Sequence, residues 1–512
     1  MAGIGTKFQR LLNANLDVLA GRPGVPAVVL VVMAALVLVR AGLYPGTGGD
    51  DGEQLIFSQV FAWGYQVRNP PLYTWAVMGV SQVTGANLWA VNIVKFALLA
   101  AMYLFLWRAC RHLFRTPEMA AVAALSPVLM YYVAWEVLTG FSHTVMTAAL
   151  YAATFLMVVR LQRNPERTTT FLLLGAVIGL GAQAKYAYWI FLLSLVAAGL
   201  FDRALRRAFL SPRMLLALAV AAALAAPHYH WLWQHFAGLK SQGGAVAQGL
   251  NLKGLGHALN AGFGFLTPFW LIALACFPAV LNRKAPPIAP AHPMARVIGI
   301  HLALVLAGTL IGALLLPDFR LRTHYMFVLL LAPVWFLLLA EAAPRRPGRV
   351  AAFAGAVSLC LAAGPVGLAV KFVAEPLVCE RCQHHVPYAD LAAQIRAMGF
   401  RGGTVSAYWH PDPLPGNLRA VLPEARVISL KHPDVIPPER TPAGEAGQCL
   451  VVWSADARRD LKLTAIGETN RLFAAGIPPG APHRLLVAPM PMGQGKTATL
   501  GVVLTDGRGK CR

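Results

Sequence analysis

Long apolar runs alternate with short polar breaks from the N-terminus to near residue 372. A helix needs about 20 mainly apolar residues to cross the hydrocarbon core of a bilayer. Eleven stretches meet or approach that requirement: 25–43, 87–107, 118–135, 141–160, 169–184, 187–202, 213–233, 262–282, 296–316, 323–341 and 350–372. Pro127 and Pro333 fall inside two of them, which a helical bundle tolerates because neighbouring groups re-satisfy the freed carbonyls. The first run continues into a polar loop with no small-residue cleavage pattern, so it reads as a retained span and not a leader.

Beyond residue 372 the pattern changes. Alternating β-branched segments at 403–407, 426–430, 449–453 and 484–487 predict strands, 388–398 predicts a helix, and Pro and Gly punctuate the rest. The expected fold is therefore an all-α polytopic membrane bundle of about 11 helices over 1–372, followed by a small soluble α/β domain over 373–512.

Composition agrees: 57% of residues are hydrophobic and 13% charged, against about 25% charged in soluble chains. The net charge of +22 changes the picture through its placement. Basic residues cluster at Lys7/Arg10/Arg22, Arg108/Arg111/Arg115, Arg160/Arg163/Arg167, Arg203/Arg206/Arg207/Arg213, Arg283/Lys284/Arg296 and Arg345/Arg346/Arg349. These are alternate connections, as expected when positive segments stay in the cytoplasm. With the N-terminus in the cytoplasm, an odd number of spans then puts the C-terminal domain on the non-cytoplasmic side. Dispersal of the charge over span ends excludes nucleic acid as the partner. Four of the seven cysteines, Cys379, Cys382, Cys449 and Cys511, lie in the tail, where an oxidising compartment favours disulfides in one of three connectivities. Taken alone, the Cys379/Cys382 pair also fits a redox or zinc motif.

The outer loop 44–86 carries the densest candidate chemistry. Asp50, Asp51 and Glu53 fall within four positions, and two amphipathic stretches, near 54–61 and 72–83, suit the interface plane. A carboxylate partly desolvated at a membrane surface can serve as a general base. The same residues also fit a solvated acidic turn that caps the following helix.

The run DDGEQLIFSQ, then WGY and NPPLYTW, resembles the first periplasmic loop of C-type membrane glycosyltransferases. It is most similar to bacterial family 39 enzymes of the dolichyl-phosphate-mannose-protein mannosyltransferase type. These include lipid A aminoarabinose transferases and lipopolysaccharide core galacturonosyltransferases. Ungapped on Ser58-Gln59 and Trp63-Gly64-Tyr65, the resemblance puts Asp50 on the family's catalytic Asp and Asp51 on its Glu. Asn69 stands where relatives often have Lys, with Arg68 beside it as an alternative phosphate contact.

The resemblance extends to Lys185-Tyr186, implying that Lys185 binds a donor phosphate; snorkelling to the interface is the competing explanation. Arg320, Arg322 and His324 form an outer basic cluster suited to phosphate. Glu136, His143 and His228 are further site candidates, and His228 shares an aromatic segment with His230 that also fits an interfacial belt. The segment Leu414–Arg419, LPGNLR, is similar to one in the same kind of protein and reads as a turn and helix start.

The resemblance implies an inverting glycosyltransferase. Its donor would be a polyprenyl-phosphate sugar and its acceptor an envelope glycolipid, glycan or protein. A divalent metal near Asp50 and Asp51 is a candidate cofactor, although such ions usually take more oxygen ligands than this loop offers. A multispan transporter or lipid flippase is the alternative class.

Overall fold

Some apolar runs break and restart at a proline, whereas Pro227, Pro365 and Pro376 lie inside continuous helices. The computed structural model describes residues 2–235, 251–282, 286–315, 323–344, 346, 348–380, 382–408, 413–440, 447–455 and 461–512. Among the described residues the eleven apolar stretches fall mainly on helix, and six form single helices long and apolar enough to cross a membrane. These are Gly24–Gly42, Leu88–Leu113, Ser142–Arg163, Arg213–Gln234, Pro293–Leu315 and Arg349–Val378. The other five are interrupted or short. Tyr188–Gly199 bends by 120° into Arg203–Phe209, and Thr323–Leu329 bends by 43° into Ala332–Ala342. Pro117–Leu129 and Thr168–Ala182 are shorter, and 262–282 is shared between Leu252–Phe265 and Phe269–Cys276. Pro127 and Pro333 sit in the first turn of restarting helices, and Pro268 immediately precedes one. The missing N–H of proline costs least there.

The chain divides into two compact units. One comprises Met1–Ala34, Gln66–Pro70 and Ala97–Gly364; the other comprises Ala35–Tyr65, Pro71–Phe96 and Pro365–Arg512.

The first unit is helical. Thr116 caps Pro117–Leu125 by accepting from Met119 N, and Asp202 caps Arg203–Phe209 by accepting from Ala204 N and Leu205 N. Thr168–Ala182 packs closely on Arg213–Gln234. A Cβ at Gly175 would come within 2.4 Å of the Ala217 carbonyl oxygen, so only glycine fits that crossing.

The second unit is built around a five-stranded sheet in the order β2-β1-β3-β5-β4. The strands are β1 (Gly403–Ala407), β2 (Ala425–Ser429), β3 (Gln448–Ser454), β4 (Arg484–Pro489) and β5 (Thr497–Asp506). β1 runs parallel to β2 and β3; β5 is antiparallel to β3 and β4. β1, β2 and nearly all of β3 are buried, as expected of a sheet covered on both faces. Alternation sends Val405, Val427, Leu450 and Val452 to one core and Ile428, Val451, Trp453 and Val503 to the other. The first core also contains Ile56, Phe57 and Tyr65 from the outer loop. The sheet therefore completes its packing with residues more than 300 positions away in sequence. β5 and the helix Lys462–Phe473 were not expected from the pattern, because TATLGVVLTD alternates poorly and KLTAIGETNRLF is only weakly apolar.

Disulfides join Cys379 to Cys382 and Cys449 to Cys511. The second spans 62 positions, and a loop of that length restricts the unfolded chain by about 4 kcal/mol. Cys511→Ser is expected to reduce hydrogen-exchange protection of β3 and β5 strongly, and Cys379→Ser only weakly, since it opens a separation of 3. Equal effects would refute this account.

Candidate active site and the latch around it

The helix Gly49–Phe57 starts after Gly48 without a side-chain cap, and Asp50 and Asp51 occupy its first turn. Carboxylates there offset the exposed N–H groups. Successive helical residues point about 100° apart, and this separates the two acids. Asp50 is exposed, whereas Asp51 is 1% exposed.

Asp51 is held in an ion pair. Its Oδ2 accepts from Lys95 Nζ at 2.5 Å, both side chains being fully buried. Thr47 Oγ1 donates to the same oxygen at 3.4 Å. Two charges removed from water persist only when each supplies the other's counter-charge. Arg40, itself 1% exposed, donates to Gly46 O at 3.1 Å and lies 4.5 Å from the Tyr44 ring centroid. Burial pushes the Tyr44 phenol up to about 12, against the pull of Arg40, so it stays protonated and donates to Leu368 O at 2.7 Å.

The remaining loop residues bind the tail. Thr47 N donates to Asn417 Oδ1 at 2.8 Å, and Asn417 Nδ2 returns a bond to Thr47 O at 3.1 Å. Gly416 rests on Gly52 so closely that a Cβ would lie 2.1 Å from the Gly52 carbonyl oxygen. Gln59 captures β2 at the sheet edge: Nε2 donates to Val427 O at 2.7 Å, and Oε1 accepts from Val427 N at 2.9 Å. Glu53 lies 2.8 Å from His432 Nε2 and 3.8 Å from Lys431 Nζ. Within the loop, Thr74 Oγ1 bonds Gln54 Oε1 at 2.6 Å and Trp75 Nε1 donates to Ala62 O at 3.0 Å. Burial raises the Tyr65 phenol to about 12, and its hydroxyl donates to Val60 O at 2.8 Å.

In the first unit, Lys185 Nζ donates to Thr144 Oγ1 at 2.9 Å and sits 5.2 Å from the Tyr325 ring centroid. Thr144 lies in the first turn of Ser142–Arg163, whose preceding residue, Phe141, adopts φ 60 and ψ 36 with no side-chain cap. A bulky residue in that left-handed conformation costs about 1–3 kcal/mol. The Phe141 ring is held 4.8 Å from that of His324, which is 4.5 Å from Tyr325. An ammonium, a helix N-terminus and a phenol thus come together, the donor set that suits a phosphate.

Of the expected site residues, Asp50, Asp51 and Glu53 belong to the second unit. Arg68, Glu136, His143, Lys185, His228 and His324 belong to the first. Lys185 and His324 share the Tyr325 cluster. His143 is buried beside Thr144. His228 Nε2 is 3.3 Å from the Tyr186 hydroxyl, and Glu136 Oε1 accepts from Tyr131 at 2.8 Å. Arg68 is exposed. Arg320 and Arg322 lie outside the described residues. Sequence alone does not mark Thr144, Tyr325, Gln59, Arg40 and Asn417 as site residues; of these, Gln59 and Asn417 stand in segments noted as similar to relatives. Among the described residues, no three His, Cys, Asp or Glu side chains are gathered to hold a metal ion.

The family described as dolichyl-phosphate-mannose-protein mannosyltransferase matches residues 68–231, which include Lys185 and begin after the acidic pair. The lipopolysaccharide core galacturonosyltransferase RgtB of Rhizobium johnstonii is 26% identical over 424 residues, covering 80% of this chain and 84% of its own. RgtA of the same organism is 26% identical over 440 residues, covering 84% and 86%. Among solved structures, ArnT from Cupriavidus metallidurans bound to undecaprenyl phosphate matches with a TM-score of 0.60 at 14% identity. That match covers 93% of this chain and 97% of ArnT. The apo state of the same protein matches with a TM-score of 0.55 at 13% identity, over the same shares of both chains. The fold is that of ArnT. The chain is a multi-pass membrane glycosyltransferase.

Asp51→Asn is expected to destabilise the protein by about 3–5 kcal/mol, because it strands a buried ammonium. Asp51→Asn combined with Lys95→Met should recover most of that loss in thermal unfolding in detergent. An unchanged melting temperature for the single variant would show that the pair does not hold the loop. Asn417→Ala removes both bonds to Thr47 and should cost about 1–3 kcal/mol, read as faster proteolysis within 44–65.

Proposed function

We propose that this glycosyltransferase moves a sugar from a polyprenyl-phosphate donor to an envelope glycolipid at the periplasmic face of the inner membrane. The observation that carries the reading is the division of labour in the acidic pair. Asp51 is buried and neutralised by Lys95, whereas Asp50 is exposed on the same helical turn. Asp50 is the general base: it takes the proton from an acceptor hydroxyl as that oxygen attacks the anomeric carbon. The bond from the anomeric carbon to the phosphate oxygen breaks, and the polyprenyl phosphate leaves with its electron pair, inverting the sugar. Lys185, with the Tyr325 phenol and the start of Ser142–Arg163, is the phosphate site. Arg320 and Arg322 are retained as further phosphate ligands on the sequence resemblance alone.

Full-length similarity to RgtA and RgtB favours a lipopolysaccharide core acceptor over a protein. The undecaprenyl phosphate in the ArnT structure supports a lipid-phosphate donor. The alternating arginine clusters support a cytoplasmic N-terminus and a periplasmic tail over 373–512.

In reconstituted vesicles, Asp50→Asn is expected to lower the transfer rate by about 100- to 10,000-fold. Transfer at the wild-type rate would eliminate Asp50 as the base. Lys185→Ala should weaken binding of polyprenyl phosphate by about 10- to 100-fold, measured by quenching of aromatic fluorescence; unchanged affinity would remove Lys185 from the site.

A further inference from the structure

The arginines that precede and open the helix Thr168–Ala182 in the first unit converge on one cavity. Arg160, Arg163, Arg167, His112, Thr169 and Thr170 line a cavity of about 470 Å³ that contains no carboxylate in its wall. Arg163 contacts His112 Nδ1, and Arg167 Nε donates to Thr169 Oγ1 at 3.1 Å. No side chain caps the start of Thr168–Ala182, so main-chain N–H groups of its first turn add to the positive field. Membrane orientation accounts for arginines at span ends. It does not require three of them, a histidine and a helix start to converge on one cavity.

The same helix face continues into an apolar groove. Thr170, Leu174, Ile178 and Ala182 recur every four residues on one side of the helix. Thr170 lines the cationic cavity, while Leu174, Ile178 and Ala182 line an apolar cavity of about 480 Å³ with Leu192, Val196 and Leu218. A cationic pocket and an apolar groove spaced along one helix suit an amphiphile. The geometry points to a binding site for an anionic membrane phospholipid, with its phosphate among Arg160, Arg163 and Arg167 and one acyl chain along Leu174 and Ile178. Guanidinium groups grip a phosphate by paired N–H bonds, and basic pockets between membrane helices favour anionic headgroups. The site does not depend on the reading of Asp50 or Lys185.

The test is native mass spectrometry of the full-length protein in a non-ionic detergent, titrated separately with phosphatidylglycerol, cardiolipin, phosphatidylcholine and inorganic phosphate. Phosphatidylglycerol and cardiolipin are expected to bind at least about tenfold more tightly than phosphatidylcholine. In R163Q/R167Q this preference should vanish. In R163K/R167K, which keeps the charge and loses the fork, it should fall only in part. R203Q/R206Q, in a different basic connection, should bind as the wild type does. The proposal is overturned if phosphatidylcholine binds equally well, if R203Q/R206Q loses binding as R163Q/R167Q does, or if millimolar inorganic phosphate displaces the lipids completely. The last result would make it a site for free phosphate.

Discussion

The buried pair of Asp51 and Lys95 is the interaction on which the outer loop depends. An ammonium in the middle of an apolar helix is costly unless a carboxylate meets it, and a carboxylate buried at a loop helix needs the same compensation. At 2.5 Å, with both side chains fully buried, each group makes the other tolerable. The consequence is geometric. Fixing Asp51 inward fixes the rotation of Gly49–Phe57, and that rotation turns Asp50 outward. One acid anchors, and its neighbour is exposed.

Long-range contacts then hold the loop from the tail side. Asn417 clasps the Thr47 main chain, Gly416 seats on Gly52, Gln59 completes the edge of β2, and Ile56 and Phe57 enter the sheet's core. The shared residues of the loop motif divide accordingly. Gly52, Gln54, Ser58-Gln59, Tyr65 and Trp75 make architecture, and Asp50 carries the proposed chemistry. Conversely, the tail is unfinished without the loop, which explains why a sheet of modest size packs with residues so remote in sequence.

Legibility followed the range of the interactions. Helix positions and four of the five strands were readable because apolar periodicity is local, and their ranges agree closely with the structure. The breaks at Pro127, Pro268 and Pro333 were harder to place, since a proline can kink a span or restart one depending on its neighbours. The unequal roles of Asp50 and Asp51 could not be read from adjacent acids in a polar loop, because Lys95 decides them from 44 positions away. Lys95 itself, flanked by apolar residues, is compatible by sequence alone with either a buried pair or a snorkelling side chain. Tyr325 and Thr144 gave no local signal; they matter through a lysine to which only the fold connects them.

The central claim is that two neighbouring carboxylates do different work, one holding the loop and the other open for chemistry. Carbodiimide labelling of the folded, reconstituted protein, read by peptide mass spectrometry alongside residual transferase activity, tests it most directly. The account predicts rapid modification of Asp50, protection of Asp51, and loss of activity in proportion to Asp50 labelling. Labelling of Asp51 as fast as Asp50, or full activity after complete modification of Asp50, would contradict it.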